Sequence, residues 1–167
     1  DCGLKYSGSP ATTISGLEHL EGCDVVALAD GNVIRNMSVS GGQITLPVAA
    51  SKVHVGLLME AAIETLTLDL GTIQGLGTVQ GRQKSVSEVT IRVEDTRGVW
   101  VGSKDSDLVE YKQRSTEAWG EAISTFTGDI RITPPWDWNT TASTIVKLLD
   151  PLPMTILAIM PDVTLGR

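Results

Sequence analysis

LEHLEGCDVVALADGNVIRNMSVSGGQITLPVAASKVHVGL, residues Leu17–Leu57, alternates short β-favouring runs with glycine-containing turn pairs. The runs are Cys23 to Ala29, Val33 to Val39, Ile44 to Val48 and Val53 to Leu57. Asp30-Gly31 lies between the first two. A two-residue hairpin turn of type I′ needs φ > 0 at both central positions, which Asp-Gly supplies at low steric cost. The stretch therefore predicts a compact antiparallel meander of four short strands. Cys23 to Ala29 is continuously apolar, as in a strand covered on both faces. Pro47 closes the third run, as expected at a strand end or sheet edge. Val53, Val55 and Leu57 alternate with Lys52, His54 and Gly56, which puts His54 on the outer face or at an interface.

Outward from this core, residues 1–16 read as a turn-rich lead-in carrying Ser7-Gly8-Ser9-Pro10 and Ser15-Gly16. Downstream, Leu66, Leu68 and Leu70 alternate with Thr65, Thr67 and Asp69. Residues 71–81 follow as a glycine-rich crossover. Gly75 and Gly77 invite comparison with a dinucleotide-binding loop, but Gln80 stands where the third glycine belongs, and no strand–helix–strand pattern surrounds it. Alternation restarts with Val89, Ile91 and Val93. A turn at Asp95–Gly98 leads to a return strand at Val99–Val101. Ser103–Asp107 is a polar loop, and Leu108–Arg114 is either a short strand or a helical turn. Phe126–Ile132, Ser143–Leu149 and Met154–Met160 complete the strand set. The expected fold is mainly β, with two small antiparallel β units of barrel or sandwich type. The units span residues 1–70 and 82–167, joined by the crossover.

Composition narrows the chemistry. The chain has 13 Lys+Arg against 20 Asp+Glu, a formal net charge of −7. That sign repels a phosphate backbone and argues against direct nucleic-acid binding. No apolar run spans a bilayer and no signal peptide is visible, so a membrane partner is not expected. Cys2 and Cys23 read as reduced, partly buried thiols. With His19 and His54 they make no zinc motif, and no cofactor is expected. The acidic residues Glu18, Glu21, Asp24, Asp30, Asp105, Asp107 and Glu110 read as solvated loop acids. Ser103 and Ser106 have no motif pairing them with a histidine, and nothing supports an enzyme. The chain opens at Asp1 without Met, as in an excised part of a longer protein.

Thr133-Pro134-Pro135-Trp136-Asp137-Trp138-Asn139 is a rigid aromatic loop. Its tryptophans cover the open end of a β core, anchor a subunit interface or stack on a sugar, in that order of preference. The candidate contact residues are Trp136, Asp137 and Trp138 on this loop and Asp105 and Asp107 on the acidic loop.

The string from Leu17 through Gly31, with Val39-Ser40-Gly41-Gly42, Ile44-Thr45-Leu46 and Val53–Leu57, resembles a recurrent segment of tailed-bacteriophage virion proteins. Arg92–Gly102, Phe126–Asp129 and Asp150–Ala158 extend the resemblance over nearly the whole chain. In that family such segments lie near the C-terminal end of large tail proteins of the nozzle or tail-tube-associated type. The resemblance implies a structural virion component assembled in the host cytoplasm. Its implied partners are copies of itself and other tail or portal-associated proteins. A carbohydrate-binding β module for host-surface recognition is the alternative, and a hydrolytic domain acting on an envelope polymer is a weaker third.

Overall fold

A computed structural model describes residues 3–69, 71–73, 77–113, 116–118 and 121–166. The fold is mainly β and divides into two compact units. The first comprises Asp1–Glu60 with Arg114–Ser124 and Leu149–Leu152; the second comprises Ala61–Gln113, Thr125–Leu148 and Pro153–Arg167. The first boundary therefore falls at Glu60/Ala61 rather than at residue 70, and the chain returns twice to the first unit.

The first unit is built on β1 (Leu4–Ser15), β2 (Asp24–Ala29), β3 (Asn32–Ser38) and β4 (Gln43–Gly56), in sheet order β1-β4-β2-β3. The hairpin forms at Asp30-Gly31, where φ is +46° and +84°. β2 pairs with β3 on one side and with β4 on the other, and Val25, Val26, Ala27 and Ala29 are all buried. Two expectations need correction. Residues 4–15 are not a lead-in but a strand along most of β4, from Leu4↔Val55 to Ser15↔Gln43. The runs around Ile44 and Val53 are one 14-residue strand. Pro47 is tolerated inside it because the paired positions jump from Thr45↔Thr13 to Ala50↔Ala11, so the missing N–H falls in a bulge. The core gathers Ile14, Leu17, Leu20, Val39, Ile44 and Val53. His54 is exposed, as the alternation requires. Cys23 is a free, exposed thiol rather than a partly buried one, because it precedes the first covered residue of β2; Cys2 lies outside the described residues.

Two of the supposed solvated acids are structural ties. Glu21 accepts hydrogen bonds from the N–H groups of Gly41 and Gly42, at 2.9 and 2.7 Å. Asp30 accepts from Ser51 and Lys52, at 2.9 and 2.8 Å. These backbone donors favour the ionised form and hold both carboxyls below their ordinary pKa. Glu117, bonded chiefly by the Ser124 N–H, is lowered to about 2. A carboxyl whose folded pKa is depressed contributes stability above its unfolded pKa and loses it as pH falls through the folded value. The first unit is thus expected to weaken as pH falls below about 5, with the Glu117 contribution lost only as pH falls through about 2. Glu21→Gln with Asp30→Asn should be less stable at neutral pH and show a shallower loss on acidification. Thermal melts across that range check this; an unchanged slope would remove these ties from the account.

The second unit contains β5 (Ala61–Glu64), β6 (Thr72–Ile73), β7 (Gly77–Thr78), β8 (Lys84–Thr96), β9 (Val99–Gly102), β10 (Val109–Glu110), β11 (Phe126–Ile132), β12 (Ile145–Leu148) and β13 (Thr155–Leu165). One sheet has the order β11-β8-β13, another β10-β9-β12-β5, and β6 pairs with β7. Val89, Ile91, Val93 and Ile130 from the first share a core with Val99, Val101 and Val146 from the second, which makes this unit a sandwich. The Leu108–Arg114 ambiguity resolves in part as β10. The segment Val99–Val101 is a strand but does not return along β8; it pairs with β12 and β10. Gly98, at φ +74°, turns the chain into the other sheet. The Leu66/Leu68/Leu70 alternation does not make a strand face. Regular pairing stops at Glu64, Leu66 is 89% exposed, and Leu68 packs on the core. Leu70 and residues 74–76 of the crossover lie outside the described residues.

Candidate functional site

The two loops singled out in the sequence belong to the second unit and meet through an ion pair. Lys104 Nζ lies 2.8 Å from Asp137 Oδ2, with both side chains more than half exposed. Each partner favours the other's charged form: Lys104 is raised above its ordinary pKa and Asp137 lowered below its own.

The acidic loop begins where β9 ends. Gly102 permits the loop to fold back, since a Cβ there would sit 2.7 Å from the backbone oxygen of Asp107. A short 3-10 turn at Asp105–Asp107 follows, and Asp107 N–H donates to the Lys104 carbonyl at 3.1 Å. Asp105 Oδ1 takes Lys147 Nζ at 2.9 Å, which fixes the loop to β12. Asp107 accepts from Ser106 Oγ at 3.0 Å and adds to the negative charge that raises Lys104.

The aromatic loop is anchored at both ends. Before it, Ile132 is buried at the end of β11. After it, Asn139 exchanges backbone hydrogen bonds with Lys84, at 2.6 and 2.9 Å. The Lys84 side chain is fully buried, and its Nζ donates to the Thr140 carbonyl at 2.7 Å. Asn139 Oδ1 then accepts from the N–H groups of Thr141 and Ala142, at 3.0 and 2.5 Å, which closes the turn. Between these anchors the two indoles part company. Trp136 is half-buried and packs on the second core. Trp138 is 53% exposed, with its ring edge close to Gly166. The first choice, core cover by both rings, thus holds for Trp136 alone.

Asp105 and Asp137 are therefore each paired with a lysine, Lys147 and Lys104, Asp107 adds to the negative charge beside Lys104, and Trp138 stands out on the aromatic loop. Sequence reasoning missed Lys84, Lys104, Lys147 and Asn139. Asn139, two residues before Thr141, carried a legible turn signal; the lysines gave none, because their partners are distant in sequence. Ser103 is buried and Ser106 bonds Asp107, and both lie in the second unit, whereas His19 and His54 lie in the first. Among the described residues no group of three or more His, Cys, Asp or Glu is placed to hold a metal. What the arrangement offers is a contact surface: one indole held out on a braced loop, beside charges already paired with each other. The sequence matches no protein-family model and no curated protein.

Proposed function

We propose that this chain is a structural segment of a bacteriophage tail protein, working through subunit–subunit contacts in a ring. The observation that carries the reading is Trp138, 53% exposed on a loop tied down by Lys84, Asn139 and the Lys104–Asp137 pair. A large apolar side chain on a braced loop loses little conformational entropy on docking. Tryptophan is also enriched among the residues that dominate interface energies. A ring needs head-to-tail contacts, and each can be weak when closure makes many at once. The partners are copies of the same protein and other tail or portal-associated proteins, in a virion assembled in the host cytoplasm. The resemblance of the Leu17–Leu57 and Arg92–Gly102 strings to tail proteins supplies the assembly; the loop supplies the means.

The test separates the two tryptophans. Trp136→Ser should cost roughly 2–3 kcal/mol of stability, because the indole covers the core. Trp138→Ser should change stability by less than about 0.5 kcal/mol. In the full-length protein it should nevertheless prevent ring or tail assembly, scored by electron microscopy. The carbohydrate-binding module uses the same ring differently. Normal tails from Trp138→Ser, with only glycan binding or adsorption lost, would replace the assembly reading with recognition.

A further inference from the structure

We infer that the second unit holds a buried water molecule between the hydroxyls of Ser103 and Thr144, with the Trp136 indole N–H as its third partner. This inference does not rest on the tail reading, since it concerns the interior of the fold and no surface contact.

Ser103 Oγ, Thr144 Oγ1 and Trp136 Nε1 are all shut off from solvent, and none of them hydrogen-bonds to the described protein. Buried polar groups are otherwise paired almost without exception, with protein or with ordered water.

Strand pairing puts the two hydroxyls together. The antiparallel ladder of β9 and β12 runs from Leu148↔Val99 to Ile145↔Gly102. Ser103 and Thr144 are the next residue on each side of its last rung. Ser103 lies two residues after Val101, and Thr144 two before Val146, and both valines are fully buried in the second core. Alternation therefore turns both hydroxyls to the same inner face. The Thr144 backbone is already engaged: its carbonyl accepts from the Thr65 N–H and its N–H donates to Thr65 Oγ1, each at 2.9 Å. Only its hydroxyl is left to satisfy. The loops bring the indole to the same end. Lys104 follows Ser103, Asp137 follows Trp136, and these two neighbours are ion-paired at 2.8 Å. The Trp136 ring packs on the same core as Val101 and Val146.

The donor and acceptor set selects water. Each hydroxyl can donate or accept, whereas the indole N–H only donates. A water accepts from the indole and exchanges one hydrogen bond with each hydroxyl, which makes the roughly three bonds usual for a buried water. The three groups carry no charge, so they have nothing with which to hold an ion. Trp100 Nε1 is also buried without a partner, but Trp100 stands opposite Lys147 on the alternate face and takes no part.

The experiment uses the 167-residue chain. Magnetic relaxation dispersion of water oxygen counts long-lived internal waters. Thr144→Val should lose one, and Thr144→Ser, which keeps the hydroxyl, should lose none. Thr144→Val should also lower the thermal midpoint, although valine matches threonine in shape, because Ser103 and Trp136 lose their bridge. Removing a hydroxyl that had no partner would instead leave the midpoint unchanged or raise it. Ser103→Ala combined with Thr144→Val should cost less than the sum of the single variants, since both act through one water. Should Thr144→Val fail to fold, Ser103→Ala is judged by the same water count and midpoint. An unchanged water count, an unchanged or raised midpoint, or additive losses would overturn the inference.

Discussion

Lys84→Ala is expected to destabilise the second unit by about 3 kcal/mol, more than any surface lysine should. Lys84 opens β8, and its side chain is fully buried. Truncation removes a methylene stem packed in the interior and leaves a cavity. It also removes the charge-assisted donor to the Thr140 carbonyl and leaves the rest of the Lys84 stem's pocket without its polar anchor. Charge-assisted hydrogen bonds of this kind contribute about 1.5–3 kcal/mol. Lys84→Met separates the two effects, since it keeps most of the stem and loses only the donor. It should cost about half as much. Denaturant unfolding gives the stability. The fluorescence of Trp136 and Trp138, on the loop that Asn139 and Thr140 close, gives the site. A loss below about 0.5 kcal/mol for the alanine variant would place Lys84 among ordinary surface lysines and remove the brace on which the Trp138 surface depends.

Ile91→Ala should cost about 3–4 kcal/mol, and Ile91→Val about 1 kcal/mol. Ile91 sits at the middle of the central strand of its sheet, fully buried, opposite Ile130 on β11 and Ile159 on β13. Close packing on both flanks and from the facing sheet leaves little room for the site to collapse, so the cavity persists. The damage should stay in the second unit, because the first has a core of its own around Ile14, Val25 and Val53. Hydrogen exchange of the β2 and β4 amides reports this directly: their protection should not change in Ile91→Ala at low denaturant. Equal costs for alanine and valine would mean that Ile91 is not at the packing centre.

The sequence by itself determined the features that a few neighbouring residues decide. Asp30-Gly31 is a turn because both positions need φ > 0, and only such residues accept it cheaply. Val89, Ile91 and Val93 face a core because strand side chains alternate. The Thr133–Asn139 stretch is a loop between strands because its prolines cannot serve a ladder. The tertiary structure decided what depends on pairing between distant segments. Val99–Gly102 leaves β8 for β12, and Ala61–Glu64 joins β12 from the other side, choices no local pattern encodes. Bulges also break the alternation that makes a strand readable: Pro47 sits inside β4 because the ladder skips there, and Leu157 is extruded from β13 between Ile156 and Ala158. The candidate site divides the same way. Asp105, Asp107, Asp137 and both tryptophans were legible as loop residues. That Lys104 joins the loops, that Trp136 turns in and that Trp138 stays out follow from burial, which is a property of the packed unit and not of a seven-residue string.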